Sequence, residues 1–334
     1  MSTNRSKKLL SSVEIPSLLV GIITFIYFSA STSRFFSAYN IGVLFNQMAV
    51  YGLLGAGLTI VIIVGGMDIS IGSTLSLCCS VMGMVWEHAK GLPNETLYVI
   101  LGALASIGIG TLIGMLLGTM ITFFHIPDMV ASLALQKVTR GIAIMVSEAR
   151  ILTKFPNSVY RLGIAKFLGI GLPFWIFLLF VLVLTVILRY TKFGRRIYMM
   201  GNNTTAANLA GVNVSRTRFL VYTTEGLIVG LSSVVYLAYN FYAQASSTGN
   251  TIQTYVLAAA LMGGASMSGG KGSALGTLCG AFTLCTVMNG LIHVGVDADA
   301  VDIIIALMIM LVLLAQYIAN SAHVRAERRG GVRI

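Results

Sequence analysis

Residues 195–218 read RRIYMMGNNTTAANLAGVNVSRTR, a polar interlude bounded by arginines and set between two long apolar runs. Apolar runs flanking a basic block are the pattern of membrane spans joined by a cytoplasmic loop. Inside the block, Asn203, Thr204 and Thr205 can accept hydrogen bonds from the first free amides of a helix through Ala206, Ala207, Asn208 and Leu209, and Gly211 supplies a stop. The spacing therefore predicts a short helix. A loop that only anchors topology is the plainer reading. Against it, Ala206, Ala207, Leu209 and Ala210 give a small, partly apolar surface suited to docking on another protein, and docking is preferred.

Composition extends the membrane reading to the whole chain. Of its 334 residues 56% are hydrophobic and only 10% charged, against about 25% charged in soluble domains. The mean hydropathy is +0.87. The 36 glycines suit helices packed through small faces, and no alternating ten-residue strands suggest a β-barrel. The expected fold is an all-α polytopic membrane helix bundle. A net charge of +11 raises nucleic acid as a partner, but the basic residues cluster at the N-terminus, around 195–218 and in the tail, which is a topology signal. The four cysteines, Cys78, Cys79, Cys279 and Cys285, lie in apolar runs without a Cys-x-x-Cys pair and read as packing residues. His88, His125, His293 and His323 are scattered, so no metal site is expected. No cleavable signal peptide is convincing, and the first apolar run reads as the first span.

At about twenty apolar residues per span, ten candidates appear: roughly 15–31, 40–64, 71–86, 96–123, 127–146, 173–190, 219–240, 252–267, 273–294 and 300–318. Residues 1–14 then form a cytoplasmic N-terminal segment, 15–318 the transmembrane domain with a coupling loop at 191–218, and 319–334 a basic cytoplasmic tail. With the N-terminus inside, fourteen basic residues fall on the inner side and six on the outer, Lys137 and Arg140 lying within the fifth span. Both termini are therefore expected in the cytoplasm. The longest outer segment, 147–172, carries Arg150, Lys154, Arg161 and Lys166 and reads as a solvated loop, with contact to a soluble outer partner as the alternative.

Several polar groups interrupt the apolar runs. In Val64-Gly-Gly-Met-Asp-Ile-Ser-Ile-Gly-Ser73, Gly65 and Gly66 end the second span and Asp68 or Ser70 is placed to cap the third. A role of Asp68, Ser70 and Ser73 in gating or solute passage is the alternative, since ionisable groups at membrane depth are functional by default. The stretch 263–276 places Gly270-Lys271 where a phosphate loop would end, but Ala265 and Gly272 break that motif and no strand precedes it. It reads instead as a helix break, with Gly263, Gly264, Gly269 and Gly270 turning the backbone and Ser266, Ser268 and Ser273 satisfying freed polar groups. Glu225 is expected to pair with Arg140 or Lys137 between helices, with snorkelling or a protonatable role in a cavity as the alternatives. Gln136 and Asn289 read equally as inter-helix hydrogen bonders or as donors to a polyhydroxylated solute. No constellation for catalysis appears.

The arrangement as a whole resembles the permease subunits of bacterial ABC importers of the ribose and simple-sugar class, which includes autoinducer-2 permeases. The resemblance rests on Gly65-Gly-Met-Asp-Ile-Ser-Ile-Gly-Ser73, on Ile126-Pro127 with Arg140-Gly141, on Phe193-Gly-Arg195 with Gly201-Asn202-Asn203, Ala206-Ala207 and Ala210-Gly211-Val-Asn213, and on Gly263-Gly264 with Ser268-Gly-Gly-Lys-Gly-Ser273 and Gly276-Thr277. Glu225 departs from it, standing where similar permeases have a small polar residue. The resemblance implies a pair of permeases (two copies or this chain with a sister), cytoplasmic ATP-binding subunits and a periplasmic solute-binding protein in the bacterial inner membrane. ATP and magnesium would sit on the partner ATPase, with no cofactor on this chain. The segment from Gly201 to Gly211, including Asn202, Asn203, Ala206, Ala207 and Leu209, matches the coupling helix. A stand-alone ion-coupled carrier or channel using Asp68 and Glu225 is the alternative.

Overall fold

The computed structural model describes residues 14–32 and 34–330, with side chains from Pro16 to Ile318. Nearly all of the expected N-terminal segment and the last residues of the tail lie outside the described residues. The chain forms α1 (Glu14–Ser31), α2 (Ala38–Ile63), α3 (Ile71–Ala89), α4 (Glu95–Thr122), α5 (Asp128–Val146), α6 (Asn157–Ile164), α7 (Leu172–Tyr190), α8 (Lys192–Asn202), α9 (Thr204–Leu209), α10 (Val214–Asn240), α11 (Ile252–Met262), α12 (Ala274–His293) and α13 (Ala298–Gly330). Four two-residue strands pair as β1 (Ile151–Leu152) with β4 (Ala243–Gln244) and β2 (Lys166–Phe167) with β3 (Ile170–Gly171), both antiparallel.

Helices occupy all ten apolar runs, and among the described residues seven are long and apolar enough to cross a membrane: α2, α4, α5, α7, α10, α12 and the Ala298–Ile318 part of α13. The apolar part of α1 and the whole of α11 are shorter. In α3 the serines and the terminal Glu87 and His88 dilute the apolar character. The last helix continues past residue 318, where the sequence reading placed the start of the tail, to Gly330.

The central element is α2, buried along most of its length. It packs against α7, α10, α11 and α12. α4 and α10 pack backbone against backbone over a long stretch, and the reason is compositional. A Cβ on Gly110 would lie 2.4 Å from the Gly226 carbonyl oxygen, and one on Gly114 2.3 Å from that of Tyr222. Two glycine pairs at four-residue spacing, Gly110 with Gly114 and Gly226 with Gly230, thus let the backbones touch, which is how helices associate where lipid removes the hydrophobic drive. Outward, α4 presents Leu104, Leu112 and Leu116, and α7 presents Leu179, Leu182 and Val186. An apolar exterior of this extent suits a hydrocarbon surrounding.

Residues 147–171 are not a loose loop. Leu152, Phe155 and Val159 are buried, and Glu87 at the end of α3 accepts from the amides of Thr153 and Lys154 and pairs with Arg150 at 2.8 Å.

Candidate functional site

The 195–218 block folds as its residues dictate. Asn203 caps α9, its Oδ1 accepting from the Ala206 amide at 2.9 Å, and Gly211 stops it at φ +82°. Asn213 caps α10 in the same way through the Arg216 amide. Ala206 and Ala210 face outward and Leu209 is 85% exposed. Ala207 is a correction to the surface read from sequence: it is buried with Val212 in the bundle's core. A helix this short cannot turn Ala206, Ala207, Leu209 and Ala210 all to one side, so Ala207 anchors α9 while Ala206, Leu209 and Ala210 remain available.

The last turn of α8 rests on two helix breaks at once. Gly201 lies so close to the end of α2 that a Cβ on it would be 1.8 Å from the Ile63 carbonyl oxygen. That oxygen, left over at a helix C-terminus, accepts the Gly270 amide at 2.8 Å. A Cβ on Gly269 would in turn approach the Gly201 carbonyl oxygen at 2.8 Å. Tyr198, one turn earlier on α8, donates its hydroxyl to the Gly272 carbonyl at 2.7 Å. The polar helix pair, the end of α2 and the turn between α11 and α12 therefore meet in one backbone joint.

The glycines of both breaks turn the chain as their sequences suggest, but the side-chain cap expected of Asp68 or Ser70 on α3 is not made. After α2, Gly65 takes φ +77° and Gly66 returns its amide to the Val61 carbonyl. After α11, Gly264, Gly269, Gly270 and Gly272 all have positive φ, and Ser273 caps α12 through the Gly276 amide. Asp68 braces the turn just ahead of α3 and leaves the first turn of that helix alone, its Oδ1 accepting from the amide and the hydroxyl of Ser70 at 2.6 and 2.7 Å. Ser70 and Ser73 are fully buried, and Ser73 accepts from Thr139 of α5 at 2.7 Å.

Glu225 overturns the ion pair expected for it. It is 2% exposed and its Oε1 has no hydrogen-bond partner among the described residues. Arg140, the expected partner, instead donates to the carbonyls of Ala245 and Thr248, because the 243–251 segment folds back against α5 and offers those oxygens first. Lys137 is exposed. Tyr222, one turn before Glu225 on α10, donates its hydroxyl to Asp128 at 2.7 Å. Gln136 donates to Gln253 at 2.7 Å. Asn289 accepts from Asn40 at 2.8 Å and sits apart from this group, tying α12 to α2.

Sequence reasoning missed Tyr198, Asp128 and Tyr222. Asp128 carried a signal, an acidic residue at the first position of a helix behind Pro127, where the helix dipole favours it. The tyrosines carried none.

A glycine-packed helical bundle with an apolar exterior, broken helices and a protruding polar helix pair is a multi-pass membrane protein with internal joints. The family described as "Branched-chain amino acid transport system / permease component" matches residues 40–313, and the chain belongs to it. The chain is 30% identical over 306 residues to the ribose import permease protein RbsC of Escherichia coli (strain K12), covering 90% of this chain and 93% of that one. It is 27% identical over 301 residues to the autoinducer 2 import system permease protein LsrC of Photorhabdus luminescens, covering 90% and 88%, and likewise 27% to that of Salmonella typhi, covering 90% and 84%. No solved structure matches. The chain is thus a membrane-spanning permease component of a transport system, and an ion-coupled carrier working alone is not favoured.

Proposed function

We propose that this chain carries a small sugar or sugar-like solute across the bacterial inner membrane, drawing power from ATP hydrolysis on separate cytoplasmic subunits. The names of the relatives, ribose and autoinducer 2 importers, support the solute class. In this reading ten helical segments cross or enter the bilayer, both termini are cytoplasmic, a periplasmic solute-binding protein delivers the cargo, and a second permease copy or sister completes the pathway. ATP and magnesium belong to the partner, and this chain needs no cofactor. Asp68, Ser70, Ser73, Gln136, Glu225 and Asn289 are the polar groups assigned to gating or the pathway.

The observation that carries the mechanism is the joint at Gly201. An exposed helix, α9, continues from α8, whose last turn is wedged against two breaks in the bundle. A partner seated on Ala206 and Leu209 moves those breaks when it moves. ATP drives the cycle to the extent that it binds one partner arrangement better than the other. The test is the pair Ala206→Asp and Leu209→Asp, which places charge on the exposed face and leaves Ala207 in place. ATP-dependent uptake should fall to background while the protein still accumulates in the membrane. Normal uptake would refute the docking role.

A further inference from the structure

At the other end of α2 lies a cavity of about 310 Å³, walled by Gln47 and Tyr51 of α2, Tyr236, Tyr239 and Asn240 of α10, and Thr248 of the segment that follows. Gln47 is sixteen residues from Ile63, roughly 24 Å along the helix, so the cavity is remote from the joint. None of the polar residues singled out from the sequence lines it.

Three features distinguish it from a packing gap. First, its wall is fixed. Arg140 donates to the Ala245 carbonyl at 2.6 Å and also to that of Thr248, Ser76 donates to Ala245 at 3.1 Å, and a Cβ on Gly72 would lie 2.1 Å from the Gly249 oxygen. Second, among the described residues no acidic or basic side chain lines it. Third, Gln47 lines the cavity while its Oε1, unpartnered among the described residues, is sealed within the wall, so a ligand meets this amide through its Nε2.

These features select a ligand. A charged solute would lose its hydration without meeting a counter-ion, which is costly. A quaternary ammonium suits tyrosine rings, but its charge too would find no counter-ion on this wall. A molecule whose hydroxyls alternate with C–H edges satisfies the amides and the phenol groups together, and the volume stands at the small end of ligand sites. We infer that this cavity is a docking site for a small, neutral, polyhydroxylated solute, held by Gln47 and Asn240 and flanked by Tyr51 and Tyr239. The inference rests on the permease reading above and adds to it the residues that meet the cargo.

The test uses the full chain in lipid nanodiscs with Gln47→Cys and Cys279→Ser, the other native cysteines being buried. Labelling by a water-soluble maleimide is timed in the presence of D-ribose, D-glucose, D-ribose 5-phosphate or choline. At twice its dissociation constant a neutral sugar should slow labelling about threefold, and the phosphate ester and choline should not. Slowing by either charged compound, or by neither sugar, overturns the assignment. In cells holding the ATPase and solute-binding partners, Gln47→Leu and Asn240→Leu should each raise the half-saturating solute concentration about tenfold, the equivalent of one lost hydrogen bond. Unchanged kinetics in both would remove the cavity from the pathway and leave the permease reading standing. Absence of ATP-dependent uptake by the unmodified chain would bring down both.

Discussion

Gly201→Ala adds one methyl group at the joint between α8, the end of α2 and the α11–α12 turn. The new Cβ would stand 1.8 Å from the Ile63 oxygen, 2.6 Å from the Gly270 nitrogen and 3.0 Å from the Ile63 carbonyl carbon. All three are backbone atoms, so no side-chain rotation relieves the clash. Restoring an ordinary C···O separation of about 3.3 Å requires a displacement of about 1.5 Å. The methyl also intrudes on the Gly270 to Ile63 hydrogen bond, worth about 1 kcal/mol. Overpacking of this kind costs about 1–3 kcal/mol, and alanine's better helix propensity returns about 1 kcal/mol. The net loss is about 1–3 kcal/mol, a melting shift of several degrees, with the larger effect on coupling. In proteoliposomes with the partner subunits, ATP hydrolysis should persist while uptake per ATP falls. Gly211→Ala is the control: its positive φ makes alanine strained, but a Cβ there meets nothing within 4 Å, so its cost is not accompanied by a displaced joint. Equal uptake per ATP in Gly201→Ala and the unmodified protein would refute the claim that motion passes through Gly201.

Glu225→Met replaces a buried carboxyl group with an unpartnered oxygen by an apolar chain of similar length, and should raise the melting midpoint by the equivalent of about 1 kcal/mol, read by thermal shift in detergent. A lower midpoint would show that the carboxylate is held by partners after all. Gly114→Leu drives a side chain into the Tyr222 carbonyl, 2.3 Å from where its Cβ would stand, and should abolish the monodisperse peak in size-exclusion chromatography. A normal elution profile would mean that α4 and α10 do not need backbone contact.

Local chemistry was legible in the sequence and tertiary chemistry was not. The Asn203 cap, the Gly211 stop and the two glycine-rich breaks depend on neighbours within a few residues, and each folds as its spacing predicts. Glu225 was assigned to Arg140 because charges between helices usually pair. Nothing local reveals that the 243–251 backbone reaches Arg140 first. Ala207 looked like surface because composition does not say which side of a one-turn helix faces the bundle. The cavity was invisible because Gln47, Tyr239 and Thr248 come from three separate segments and are commonplace in each. Gly201 was recognised as part of a motif, but its function as a point of backbone contact depends on Ile63 and Gly270, both distant in the chain.

The joint and the cavity lie on the same helix, and that shared element is the physical reason to connect them. α2 carries the Ile63 oxygen at one place and Gln47 roughly 24 Å away, and its continuous hydrogen-bond ladder makes it stiff between them. Its neighbours touch it through glycines: a Cβ on Gly52 would meet the Phe177 ring, one on Gly55 the Thr277 methyl, and one on Gly57 Ile228. At these contacts neighbouring side chains seat on the α2 backbone, while Leu53, Leu54, Leu58 and Ile60 interlock with the surrounding helices. The Thr59 to Thr277 hydroxyl bond at 2.7 Å and the Asn40 to Asn289 bond fix where it returns. Displacement of Ile63 by α8 therefore reaches Gln47 and Tyr51 as movement of one body, while Tyr239 and Asn240 stay with α10. The cavity thus lies between α2, whose end meets Gly201, and α10, which follows α9 in the chain and itself touches α8.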